Sequence, residues 1–191
     1  MDINDGLTLR ASSLEDAASV LALYRRVAQV PGGLARLPFE ITMPYVESFL
    51  EPASTRGVGV VAESAAGVVL GEIHAYSPAI FCFSHILTDL TIAVDPKLQG
   101  SGLGRRLFTT FLQKVIDERP HISRVELIAR ESNTRAIKFY ESMGFEREGE
   151  LRGRILNSDG SLESDIPMAL HSTRDKKMNG FGKGDKDGSD R

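Results

Sequence analysis

From Leu90 the chain runs L-T-I-A-V-D-P-K-L-Q-G-S-G-L-G-R-R, and most of its chemical information lies in the glycines. Gly100, Gly102 and Gly104 alternate between a β-like run and a strongly helical one. Glycines let the main chain pass close to a ligand, and the N–H groups that open a helix sit at the positive end of its dipole. A diphosphate suits such a cradle. Lys97, Arg105 and Arg106 cluster here with no acidic residue after Asp95, so an acidic chain is locally cationic where an anion would sit. A lone glycine loop is explained equally well as a tight strand-to-helix turn. Two familiar nucleotide loops fail on spacing. A Walker loop needs Gly-Lys followed by Ser or Thr, where this chain has Gly104-Arg105-Arg106. A dinucleotide fingerprint needs Gly-x-Gly-x-x-Gly near the first strand, and here Gly-x-Gly-x-Gly follows the fourth.

A second pattern lies about 30 residues on: Asn133-x-x-Ala136-x-x-Phe139-Tyr140-x-x-x-Gly144-Phe145. With both in order, the chain resembles the GNAT superfamily of N-acetyltransferases over roughly residues 7–171. The acetyl-CoA loop of that family, Gln/Arg-x-x-Gly-x-Gly/Ala, is matched by Gln99, Gly102 and Gly104. The resemblance implies an α+β GNAT-like fold, a central, mostly antiparallel sheet with helices on both faces. It implies acetyl-CoA as cosubstrate. The pantetheine arm would pair like an added strand with the main chain of Ile92, Ala93 and Val94. The diphosphate would meet Gln99, Gly100, Ser101, Gly102, Leu103, Gly104 and Arg105, and Asn133 and Tyr140 would also lie in the cofactor site.

Acetyl transfer from a thioester to an amine needs a held thioester, a stabilised oxyanion, a neutral amine and a proton for the departing sulfur. An N–H near Ile92 or Ala93 is the natural oxyanion donor. Asn133, Ile137 and Tyr140 fall on one helical face at i, i+4 and i+7, which makes Tyr140 the expected acid. A base is harder to assign. Family members place a strand glutamate at two positions held here by Thr88 and Ile128, and neither can serve. Glu72, His74, Glu126, Asp89 and His85 remain. Glu72 is favoured slightly because it and His74 share a strand face in an apolar run. A water chain without a dedicated base is equally credible.

These groups must be positioned by an alternation of elements. A strand at Leu7–Ala11 leads to a helix opened by a Ser12–Glu15 capping box, with Leu14, Ala17, Ala18, Leu21, Tyr24 and Ala28 as its apolar face. Pro31-Gly32-Gly33 stops it. A short second helix begins at Thr42–Pro44 and ends at Pro52. Three β-like runs follow, Val58–Glu63, Val68–Tyr76 and His85–Val94, with short turns that predict antiparallel neighbours. Leu103, Leu107, Phe108, Phe111, Leu112, Val115 and Ile116 stripe a helix ended by Pro120. A strand at Val125–Ala129, a helix at Asn133–Ser142 closed by Gly144, and two strands around Asn157-Ser158-Asp159-Gly160 complete a domain over residues 1–171. Residues 172–191, with six basic and four acidic side chains and only Met178 and Phe181 as large apolar ones, are expected to be a disordered tail.

Composition narrows the classes further. The chain has 191 residues, 41% hydrophobic, and a net charge of −3. That length supports a sizeable core without staples, and the charge argues against nucleic acid as a partner. The single cysteine, Cys82, excludes an internal disulfide and fits the cytoplasm. No window of 18 apolar residues and no basic-then-apolar start is present, so no membrane association is expected. His74, Cys82 and His85 lack a fourth ligand, and Cys82 sits in an apolar run, Ala79–Phe83, where a buried thiol is the ordinary occupant; no metal is expected. Ser84, His85 and Asp89 lack the Gly-x-Ser-x-Gly elbow of a hydrolase. The expected function is transfer of acetyl from acetyl-CoA to a primary amine by direct attack in a ternary complex. The alternative is a catalytically silent acyl-CoA-binding or regulatory module. The acceptor, a small-molecule amine or a protein N-terminus, is not fixed by the residues. The segment from Val30 to Tyr45, with Arg36 and Glu40, and the loop Asn157–Ser161 are the expected acceptor walls. A homodimer is common in the resembled family.

Overall fold

A computed structural model describes residues 6–30, 33–157 and 159–171. The expected tail, two residues of the Pro31-Gly32-Gly33 stop and Ser158 of the last turn lie outside the described residues. Strand β1 (Leu7–Ala11) is followed by helices α1 (Ala17–Ala28) and α2 (Met43–Arg56). Strands β2 (Gly57–Ser64), β3 (Val69–Tyr76) and β4 (Ile86–Val94) precede α3 (Leu103–Glu118). After these come β5 (Arg124–Arg130), α4 (Thr134–Ser142), β6 (Glu146–Arg147), β7 (Leu151–Leu156) and β8 (Leu162–His171). The strands form one sheet in the order β1-β2-β3-β4-β5-β8-β6, with β7 also on β8. Among the described residues only β4 and β5 run parallel.

The sheet separates two apolar layers, as an α+β fold requires. On one face α3 and α4 bury Leu103, Leu107, Phe108, Phe111 and Ile137 with β-strand residues such as Ile73 and Leu127. On the other, α1 and α2 bury Val20, Leu23, Tyr24, Phe49 and Leu50 against Val61 and Ala93. The expected class and the three central antiparallel strands are therefore present. Two residues of β6, short and exposed, give no periodic signal and were not expected.

Three local expectations fail for identifiable reasons. The first capping box is one residue later: Ser13 Oγ accepts from Glu15 N (3.3 Å) and Asp16 Oδ2 accepts from Ser13 N (2.9 Å). Asp16 wins because Arg10 of β1 pairs with it bidentately (2.7 and 2.9 Å), fixing the helix start to the sheet. The apolar face then rotates to Ala17, Val20, Leu23, Tyr24 and Val27, leaving Leu14 and Ala18 exposed. Pro52 does not end α2. Pro52 is buried along with Phe49, Leu50 and Ala53 of the same helix, and Ser54 and Thr55 hydroxyls donate to the Glu51 carbonyl (2.8 and 3.0 Å). Packing thus outweighs the roughly 3 kcal/mol that a mid-helix proline costs. Cys82 is exposed, not buried. Ser77 Oγ closes onto Ile86 O (2.6 Å), and the chain between them loops outside the sheet with Phe81 fully in solvent.

Candidate active site

The central irregularity of the sheet is on β4. Between the pairs His74↔Thr91 and Tyr76↔Thr88, β3 has one residue and β4 has two, Asp89 and Leu90. Asp89 takes φ +55°, the sole non-glycine residue with positive φ among those described. Such a bulge bends and twists its strand. Accordingly β4 and β5 pair only at Ile86↔Arg124 and Leu87↔Val125, then part. From the bulge to Val94 the β5-facing edge of β4 has no strand partner among the described residues.

A cleft of about 500 Å³ opens there on the α3–α4 side. Ile92 and Val94 form its floor, Gln99, Gly100, Gly102, Gly104 and Arg105 one wall, and Asn133, Ala136, Phe139 and Tyr140 the other. Gly100 and Gly102 take φ +85° and +87°, conformations that side-chain-bearing residues rarely adopt. The first main-chain bond of α3 runs from Arg106 N to Gly102 O (3.1 Å), so the Gly104 and Arg105 amides have no intrahelical acceptor. This is an anion-binding geometry built from main chain.

Three expected cofactor residues are arranged differently. Ala93 turns its side chain into the α1–α2 layer, and Leu103 is fully buried under α3. Ser101 donates its hydroxyl to Leu98 O (2.7 Å), its amide bonds the same carbonyl (3.2 Å), and the Leu103 amide bonds Ser101 Oγ (3.4 Å). Ser101 therefore braces the loop. On α4 the cleft-facing set is Asn133, Ala136 and Tyr140, whereas Ile137 is core. Asn133 Oδ1 caps the helix at Ala136 N (3.1 Å), leaving its amide nitrogen for other partners. Arg105 lies across the Phe139 ring (5.6 Å) and donates to Ser142 Oγ (3.0 Å). Arg135, not anticipated, lines the same cleft near Gly100. Its signal was available: it follows the helix cap on the segment already singled out.

Tyr140 is packed against Phe108, Phe139 and Phe145. Burial pushes its phenol up to about 12, so the proton is retained across the physiological range.

A second cleft of about 660 Å³ lies on the other side of the β4 edge. Tyr45, Phe49, His74 and Tyr76 give it an aromatic wall. Arg36, Asp89, Arg124, Glu126, Glu148, Arg154 and Asp165 make it polar, and Thr88 and Ile128 also line it. The expected wall at 34–36 and Tyr45 is in place. Glu40 instead accepts from Leu37 N (2.7 Å), and the Asn157–Ser161 loop is replaced at the cleft by Arg154 and Asp165. Arg124 ties Glu126 (2.6 Å) to Glu148, holding the Glu148 carboxyl down at about 2. Burial, reinforced by Asp89, pushes the Tyr76 phenol up to about 12.

Glu72, the favoured base, does not reach either cleft. It has no exposed surface and accepts from Tyr24 Oη (2.6 Å) beside His74 Nδ1 (3.1 Å). His74 lines the second cleft. The two clefts meet at β4, where Thr91 belongs to one and Ile92 to the other.

Residues 55–147 match the model of the acetyltransferase (GNAT) domain. A [ribosomal protein bS18]-alanine N-acetyltransferase of Escherichia coli K12 is 38% identical over 98 residues, covering 48% of this chain and 63% of that relative. The match thus spans less than two thirds of the relative's length. The fold is shared with ribosomal-protein-alanine N-acetyltransferase of Brucella melitensis (TM-score 0.73, 20% identity, 86% of this chain and 99% of that one). It is shared too with a GNAT phosphinothricin acetyltransferase of Sinorhizobium meliloti solved with AcCoA (TM-score 0.70, 16% identity, 87% and 88% covered). No helix among the described residues is long and apolar enough to cross a membrane.

Proposed function

We propose that this chain is a GNAT-superfamily enzyme that transfers the acetyl group of acetyl-CoA to a primary amine by direct attack in a ternary complex. One observation carries the reading: the parted edge of β4, with a main-chain anion cradle on one side and an aromatic, polar cleft on the other. A thioester laid along residues 92–94 would present its carbonyl carbon at the junction of the two.

The amides of Gly100, Gly102, Gly104 and Arg105, with Gln99, Arg105 and Arg135, would hold the diphosphate. The pantetheine would pair with the free edge of Ile92, Ala93 and Val94, whose N–H groups supply the oxyanion donor. The Asn133 amide nitrogen would contact the same arm. The amine nitrogen attacks the carbonyl carbon, the C–N bond forms, and the C–S bond breaks. Tyr140 gives its proton to the sulfur. With the phenol raised to about 12, that transfer must accompany C–S cleavage, since a fully formed phenolate would be unfavourable there.

The acceptor is a small-molecule amine or a protein N-terminus. The second cleft is open and of mixed charge, which suits either. The chemistry takes place in the cytoplasm, a reducing compartment consistent with one unpaired cysteine. The test is free-thiol release from acetyl-CoA with an alanine-initiated peptide, the standard amino acids and spermidine, beside native mass spectrometry for cofactor occupancy and subunit number. Transfer to at least one amine is expected. Stoichiometric acetyl-CoA binding with no transfer to any would favour the silent module instead, a reading that Thr88 and Ile128 motivate.

A further inference from the structure

Beneath the floor of the second cleft lies a polar cluster that the cofactor chemistry does not use. Glu72, His74 and Tyr24 sit inside the α1–α2 layer, among the most apolar surroundings in the molecule. A carboxylate in such a place is costly unless its oxygens are satisfied. Here Tyr24 Oη donates to Glu72 Oε2 (2.6 Å), and His74 Nδ1 lies 3.2 and 3.1 Å from the two carboxylate oxygens. The His74 ring is clamped in a stack on Phe49 (centroids 4.0 Å, planes at 6°), with Tyr76 on β3 nearly parallel to it (6.3 Å, 8°). Its outlet is toward the second cleft, which it lines. Its strand partner is Thr91, the first paired residue of β4 after the bulge and part of the parted edge.

We infer that His74 is the proton acceptor for the incoming amine and that Glu72, braced by Tyr24, is the positioning residue that sets its tautomer. The inference rests on the acetyl-transfer reading above. A carboxylate has no proton to give, so Nδ1 must be the donor and Nε2 keeps its lone pair toward the cleft. An ammonium acceptor passes one proton to Nε2, and the resulting imidazolium is balanced by Glu72 at hydrogen-bond distance. The neutral amine then attacks. The nitrogen's second proton returns by way of solvent to the Tyr140 oxygen, which has given its own to the thiolate, and His74 releases the proton it accepted to solvent, restoring both groups. Overall, ammonium and thioester become amide, thiol and one proton. The other titratable or charged groups facing the pair are Tyr45 from α2, Tyr76 from β3 and Asp89 from β4, with Arg36 over the Tyr45 ring (4.0 Å). Burial raises all three tyrosines, Tyr24 included, so they stay neutral in the working range and Asp89 and Arg36 are the charges nearby.

Two measurements decide it. Long-range 1H–15N correlation spectra of labelled wild-type protein, with His74 assigned through His74→Gln, are expected to show the Nδ1–H tautomer at the pH where the neutral ring dominates. The Nε2–H tautomer would overturn the inference without any activity measurement. In the thiol-release assay with an accepted amine, His74→Gln and Glu72→Gln are expected to lose on the order of 100-fold in kcat/KM at pH 7. The loss should shrink as pH rises and the amine deprotonates on its own, with acetyl-CoA Kd unchanged. A uniform loss across pH, or none, would mean a structural role only. Wild-type protein inert toward every amine would remove the functional reading itself, whereas active wild type with unimpaired His74→Gln removes only this inference.

Discussion

The two clefts that meet at β4 are built from different materials. The proposed cofactor side is drawn chiefly from one loop, one strand edge and one helix within residues 92–105 and 133–140, with Val27, Val30 and Gly33 beside them, and its anion cradle is main chain. The second side is mostly side chains, drawn from positions between Leu34 and Met168. A main-chain cradle depends on glycine conformations and on the helix start, so it tolerates change in its side chains and fits a fixed ligand. A side-chain cleft is re-specified by single substitutions. The difference teaches that acetyl-CoA binding and acceptor choice are separable properties of this fold.

The sharpest way to break that separation is at Tyr140, the proposed acid, which lines the glycine-loop cleft. Tyr140→Phe is expected to lower kcat about 100-fold while leaving the calorimetric Kd for acetyl-CoA within about twofold. Because the phenol titrates only near 12, the loss should be uniform between pH 6 and 9. Unchanged kcat under rate-limiting chemistry would refute the acid role. Next in size is the cradle. Gly102→Val forces a β-branched residue to φ +87°, at a cost of about 1–3 kcal/mol. Acetyl-CoA should bind about tenfold more weakly, with acceptor KM at saturating cofactor little changed. Equal damage to both constants would show that the two sides are not independent.

How much of this the sequence disclosed follows the same division. The glycines, the Asn133 cap and Tyr140 lie in two short segments whose local conformation is dictated by neighbours in the chain, and they line one cleft together. Spacing locates the loop but does not say which of its groups are consumed internally: the Ser101 hydroxyl and amide both go to Leu98 O, and the Ala93 and Leu103 side chains go to the two apolar layers. In the second cleft, Arg154 and Asp165 come from strands paired across the sheet, and no local pattern announces them. Glu72 and His74 were recognised as neighbours on one strand face. Burial of the first beneath the second depends on Tyr24, 48 residues away. The rotated face of α1 follows from a strand-to-helix pairing of Arg10 with Asp16, six residues on, that local capping rules do not contain.

Smaller effects sharpen the acceptor side. Arg36→Ala removes the cation over Tyr45, an interaction worth about 0.5–1 kcal/mol at exposed sites. Acceptor KM should shift a few-fold, and acetyl-CoA Kd should not. The smallest effect is on stability. Arg124 and Arg130 hold the Glu148 and Glu163 carboxyls at about 2, below their ordinary 4.5. A depressed folded pKa stabilises above 4.5 and is lost as pH falls toward 2. Thermal melts should therefore weaken from pH 5 to pH 3. Glu148→Gln with Glu163→Gln should flatten that slope, and an unchanged slope would assign the acid sensitivity elsewhere.

The central claim is that the parted edge of β4 holds the thioester between a main-chain cradle and a side-chain cleft. A crystal structure of the acetyl-CoA complex tests it most directly. Diphosphate oxygens are expected within hydrogen-bond distance of the Gly102, Gly104 and Arg105 amides, the pantetheine along residues 92–94, and the sulfur within reach of Tyr140 Oη. A diphosphate seated elsewhere, or an acetyl group that does not face His74 and Thr91, would contradict it.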